Sequence, residues 1–137
     1  MISEEEMSLL NIKLAKSKRN EKDWSQIKDI FFGKDVFTFK VKKPNDYIGM
    51  HRGIAVEELG LLIFTSIKAC ENYLDELGTM GIISGNINVV GMTFDDVIVL
   101  ADRDKIDVII DNSFETNRGY YYYSSNERQL KVVIKTE

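Results

Sequence analysis

The stretch "LLIFTSIKACENYLDELG", Leu61 to Gly78, decides how the chain folds. It opens on four consecutive apolar residues, the pattern of an inner strand covered on both faces rather than one with a wet side. Thr65 or Ser66 then caps a helix by offering a side-chain oxygen to amides that the first turn leaves without partners. Cys70, Tyr73, Leu74 and Leu77 recur at helical spacing as its buried stripe, and Gly78 is placed to end it in the left-handed conformation. Cys70 therefore reads as a small core residue. As a nucleophile it would need an activating base that only His51 could supply.

Upstream, Ser3 and Glu6 have the spacing of a capping box, and Met7, Leu10 and Leu14 continue it as an amphipathic helix. A second helix is expected over 21–32, where Trp24, Ile27 and Phe31 share a face and Gly33 supplies the stop. Val36 to Val41 alternate as a strand that Pro44 ends, and "KKPNDYIGMHRG" reads as a polar loop.

Downstream, Ile82 to Val90 form a Gly-interrupted apolar segment expected to be a strand. Thr93 and Asp96 repeat the capping spacing ahead of a helical stripe of Phe94, Val97, Ile98 and Ala101. "KIDVIID" is a further inner strand, and "GYYYYSSNERQLKVVIK" alternates on both sides of "SSNE" as a hairpin. The expected fold is α+β. It is a single layered domain over 1–137 with a mixed β-sheet, two N-terminal helices, two crossover helices and a C-terminal β-hairpin in 113–137.

The totals suit that picture. A chain of 137 residues is about one domain, and 44% hydrophobic with 29% charged residues is ordinary for a globular chain. One cysteine and one histidine can build neither an internal disulfide nor a closed zinc site from soft ligands. The acidic start "MISEEEMSLL" is unlike a basic secretory signal, and no run approaches the ~18 apolar residues of a membrane span. A cytoplasmic setting without membrane contact is expected.

Charge is uneven, with ten Lys and Arg against seven Asp and Glu in 1–43 and eight against fifteen in 44–137. Lys13, Lys16, Lys18, Arg19 and Lys22 are the best candidate for a phosphate-binding surface. Glu4, Glu5, Glu6, Glu21 and Asp23 flank them, so they read as a solvated helix face and no nucleic-acid partner is expected.

An apolar strand ending in "IFTS" at Ile63–Ser66, its aromatic-bearing helix, and "IDVIIDN" at Ile106–Asn112 together resemble the N-terminal domain of the SseB family. These bacterial proteins are named for enhanced serine sensitivity. The resemblance covers roughly 8–112. It departs from the family where Asn112 is followed by Ser113 instead of a Pro turn. It implies the fold order above and brings no catalytic residue.

No phosphate loop, dinucleotide fingerprint, HExxH or CxxC occurs, and no cofactor is expected. Asp102, Asp104 and Asp107 lack the glycine and distal glutamate of a calcium loop. Asp95 and Asp96 are explained by the helix dipole at a first turn, and the glycines by turns and helix ends.

The tyrosine run is the most unusual feature, because in a strand two of the four must face away from the other two. Phe114, Tyr120, Tyr121, Tyr122 and Tyr123 are thus the candidate contact residues, either as an interface or as plain sheet cover. The expected function is non-enzymatic contact with a protein partner or a second copy. Two alternatives stand beside it. One is an immunity or antitoxin-type protein whose acidic two-thirds masks a basic toxin. The other is a small hydrolase or transferase using His51 with Cys70 or an aspartate.

Overall fold

A computed structural model describes residues 3–6, 8–9, 29–31, 33–58, 60–85, 87–112 and 120–133, and for 120, 121, 132 and 133 the backbone alone. The capping box forms as the spacing predicts: the Glu6 amide donates to Ser3 Oγ and the Ser3 amide to Glu6 Oε1, both at 3.1 Å. Residues 4–6, 8–9 and 29–31 are helical. The rest of the two expected N-terminal helices, with the lysine cluster, lies outside the described residues.

The fold is α+β. In chain order it runs β1 (Asp35–Lys40), β2 (Gly49–His51), β3 (Ile54–Glu57), β4 (Gly60–Ile63), α1 (Ile67–Thr79), β5 (Asn88–Thr93), α2 (Phe94–Asp104), β6 (Val108–Ile110), β7 (Tyr120–Ser124) and β8 (Gln129–Val133). Six strands make one mixed sheet in the order β2-β3-β4-β6-β7-β8, and β1 and β5 make a separate antiparallel ribbon. β4 and β6 are parallel, with Leu61 opposite Val108 and Ile63 opposite Ile110, and every other pair in the sheet is antiparallel.

All of Gly60–Ile63 is buried, because helices cover both faces of the sheet. Leu61 and Ile63 point to the side of α2, where they meet Val97, Ala101 and Phe94, while Leu62 points to the side of α1 and meets Cys70, Tyr73 and Leu77. Alternation on a strand with two covered faces produces an unbroken apolar run. The ribbon is fastened to the sheet by Phe37 and Phe64, whose amides donate to each other's carbonyls at 2.8 and 2.7 Å. Buried Thr38 adds a stitch: its hydroxyl donates to the Leu62 carbonyl at 2.8 Å and accepts from the Ala55 amide at 3.2 Å.

Four expectations are corrected. The polar loop after Lys42 contains strand β2, which pairs with β3 through a turn with Arg52 at φ +51° and Gly53 at φ +84°. Gly78 does not end α1; the helix runs to Thr79, Met80 is its right-handed cap, and the left-handed residue is Gly81 at φ +74°. The strand expected from Ile82 begins only at Asn88, with Gly81 at φ +74° and Gly85 at φ +80° turning the chain ahead of it. The strand-helix-strand unit from β4 through α1 does not return to the same sheet, since β5 is taken by β1.

Candidate functional site

Ser66 is the cap of α1, with its Oγ accepting the Ala69 amide at 3.1 Å. Thr65 turns away from the helix to Asp111, just past β6, which accepts the Thr65 amide at 2.8 Å and the Thr65 hydroxyl at 2.7 Å. The "FTS" of the opening stretch thus ends a strand, locks it to its parallel neighbour and starts a helix. Near the same end of the sheet, Glu57 accepts from the Tyr73 hydroxyl and the Asn112 amide group, both at 3.5 Å.

Cys70 is fully buried, and burial pushes its thiol up to about 12, with Glu71 and Asp111 adding to the shift. This is the reverse of the depression that makes a cysteine reactive at neutral pH. His51, half-buried at the end of β2, is not its neighbour. His51 Nε2 lies 2.7 Å from Asp104 Oδ2 at the end of α2, on the face of the sheet opposite to that covered by α1. Arg52 Nε donates to the same oxygen at 3.0 Å and Arg103 Nε to Oδ1 at 3.2 Å.

The aspartates of "DRDKID" also have separate structural partners. Asp102 accepts from the Tyr123 hydroxyl, Asp104 from the cluster around His51, and Asp107 from the Ser125 amide and hydroxyl. Among the described residues no group of three acidic, His or Cys side chains could hold a metal ion. No helix among them is long and apolar enough to cross a membrane.

The hairpin forms as the alternation predicts, with Tyr122 opposite Lys131 and Tyr123 opposite Leu130. Its two described tyrosines are not equivalent. Tyr123 belongs to the core on the α2 side at 3% exposure, and its hydroxyl donates to Asp102 Oδ1 at 2.7 Å. It is withdrawn from the candidate contact set, because a ring covered by its own fold presents nothing to a partner. Tyr122 lies on the other face, half-buried, across from Ile109 and Lys131. Lys131 makes an ion pair with Glu127. Phe114 and the side chains of Tyr120 and Tyr121 lie outside the described residues.

The sequence reading missed a groove of about 960 Å³ between α1 and residues Ile83, Ser84, Gly85 and Ile87. Ile67, Leu74, Ile83 and Ile87 line it, with Glu71 and Asp75 among its polar groups. The helical side of it shows in the sequence as Ile67, Glu71, Leu74 and Gly78 at spacings of four, three and four with Asp75 one turn after Glu71, a mixed face that resembles ordinary solvent cover. The second wall has no such signal, because Ile82 to Val90 reads from its sequence as one strand.

Compared with protein-family models, with curated proteins and with solved structures, the chain matches none.

Proposed function

We propose that the protein works by contact with another protein chain rather than by catalysis, in the cytoplasm, as its likeness to the SseB N-terminal domain suggests. The contact surface is the C-terminal hairpin. One observation carries the reading: β8 is an edge strand, paired to β7 alone, so one side of its backbone has no strand partner among the described residues. Such an edge is a template for strand addition by a second copy or by an extended segment of a partner. Tyr122 lies beside it on the next strand, an aromatic able to contribute contact area at small rotamer cost. The engagement of His51 with Asp104 and the burial of Cys70 support a reading in which neither reacts.

The experiment is sedimentation of the chain alone, followed by capture from cell extract, with the wild type compared to Tyr120→Ser/Tyr122→Ser. Loss of self-association or of a captured protein in the double variant, while it still unfolds cooperatively at a melting temperature lowered by only a few degrees, is the expected result. Identical behaviour of the two chains would remove the hairpin from consideration.

A further inference from the structure

We infer that the groove between α1 and residues Ile83, Ser84, Gly85 and Ile87 is a second, separate docking site, and that its occupant is a cationic amphipathic helix of a partner protein. Its lining is mixed, with Ile67, Leu74, Ile83, Ile87 and Val89 as its apolar residues, and Ile67 is half exposed although it is a large aliphatic residue. Its charge is of one sign: Glu71 and Asp75 line it and no lysine or arginine does. These two carboxylates stand four residues apart on one helix, about one turn or ~6 Å, where like charges repel. Neither makes a hydrogen bond or ion pair among the described residues. The last turn of α1 carries no basic residue, so the negative end of the helix dipole adds to the same field. A partner bearing Lys or Arg one turn apart would relieve all three.

Gly78 points the same way. It lies within α1 without a positive φ, and a Cβ added there would meet nothing within 4 Å. Neither backbone conformation nor packing requires glycine, which weakens a helix relative to alanine. What glycine does provide is a bare patch of helix backbone at the groove, the device that lets a second helix approach closely. The groove lies alongside α1, which suits an apolar helix face laid into it with cations over the carboxylates.

The test uses the full chain and, as probe, a fluorescently labelled helical peptide of Leu and Lys patterned to give one apolar and one cationic face, about four turns long. A peptide with Glu in place of Lys is the comparison. Anisotropy titration should show binding of the Lys peptide and none of the Glu peptide. Glu71→Lys/Asp75→Lys should weaken it about tenfold, the scale of two exposed ion pairs turned repulsive. Glu58→Lys/Asp96→Lys changes net charge equally outside the groove and should leave affinity within about twofold.

Gly78→Leu should block the groove while the melting temperature holds or rises, and Gly78→Ala gives a smaller obstruction in a fold that tolerates it. Equal weakening by the two charge reversals would reduce the effect to net charge and overturn the site, as would undiminished binding to both Gly78 variants. Concentration-dependent dimerisation of the wild type that the same groove variants abolish would assign the groove to a second copy and overturn the proposed occupant.

Discussion

Asp111 and Thr65 are the clasp between the two parallel strands, with both carboxylate oxygens of the one accepting from the amide and hydroxyl of the other. Asp111 also holds φ at +55°, a conformation that Asn and Asp visit more readily than other side chains. Burial raises its carboxyl above the usual range, and the Thr65 hydrogen bonds oppose the rise without cancelling it. A raised folded-state value means that the ionised form costs stability, a cost absent below the unfolded value near 3.9 and complete above the folded one. Asp111→Asn keeps the shape, an acceptor and the backbone preference while removing that cost. It should raise the melting temperature near neutral pH and change it little at pH ~3.5. Asp111→Ala strands the Thr65 donors and is disfavoured at this φ, for a loss of about 2–4 kcal/mol in urea unfolding. A neutral-pH loss with Asn equal to that with Ala would refute the account.

Gly60 is required by contact as well as by conformation. It opens β4 at φ +153°, and a Cβ there would stand 2.3 Å from the Asp107 carbonyl oxygen, the acceptor of the Leu61 amide at 2.9 Å. Neither strand can retreat without breaking the parallel pairing at the centre of the sheet. Gly60→Ala should cost at least ~3 kcal/mol, with Gly49→Ala, which meets only Val56 at 3.6 Å, as the mild comparison. Similar denaturation midpoints for the two variants would contradict this.

What was legible in the sequence was local. Ser66 and Thr93 cap their helices as the spacing predicts, and all four residues of the stripe Phe94, Val97, Ile98 and Ala101 are buried. Caps and stripes are decided within a few residues. The β2–β3 hairpin escaped because β2 has only three residues, none strongly apolar in alternation, and its turn uses Arg52 where Asn or Asp would have been the cue. The desertion of β5 to β1 is a choice between distant partners that the residues Asn88–Thr93 do not encode by pattern. Likewise, alternation required two tyrosines to face away from the other two, but the register of Tyr123 against Val108 is what puts Tyr123 in the core. The groove needed two walls from separate segments, and only one had a periodic signal.

Asp104 predicts an acid limb in stability. The hydrogen bond from His51 leads in holding its carboxyl down to about 2, with Arg103 and Arg52 adding to the effect and burial opposing it. A lowered folded value contributes stability that is complete above the unfolded value near 3.9 and is lost as pH falls through about 2. Asp104→Asn should therefore melt below the wild type at pH ~5, with the gap narrowing between pH ~4 and ~2. Thermal melts across that window check it, and a gap that stays constant to the lowest pH would show that the loss is not one of charge.

The two described tyrosines of β7 should answer differently to the same substitution. Tyr123 fills the core between sheet and α2, and its pKa is raised first by burial and then by the Asp102 carboxylate that accepts its proton. Tyr123→Phe keeps the ring and leaves a carboxylate without its donor, a loss of about 1–2 kcal/mol, while Tyr123→Ala empties the site at about 3–5 kcal/mol. Tyr122→Ala removes a half-buried ring from the opposite face and should cost about 1 kcal/mol. Chemical unfolding of the three variants separates the roles. If Tyr122→Ala proved as damaging as Tyr123→Ala, the pairing of Tyr123 with Val108 and Leu130 would be the wrong register. The hairpin's contact surface would then have to be reassigned to the other face of β7, since a slip of one residue exchanges the two sides of a strand.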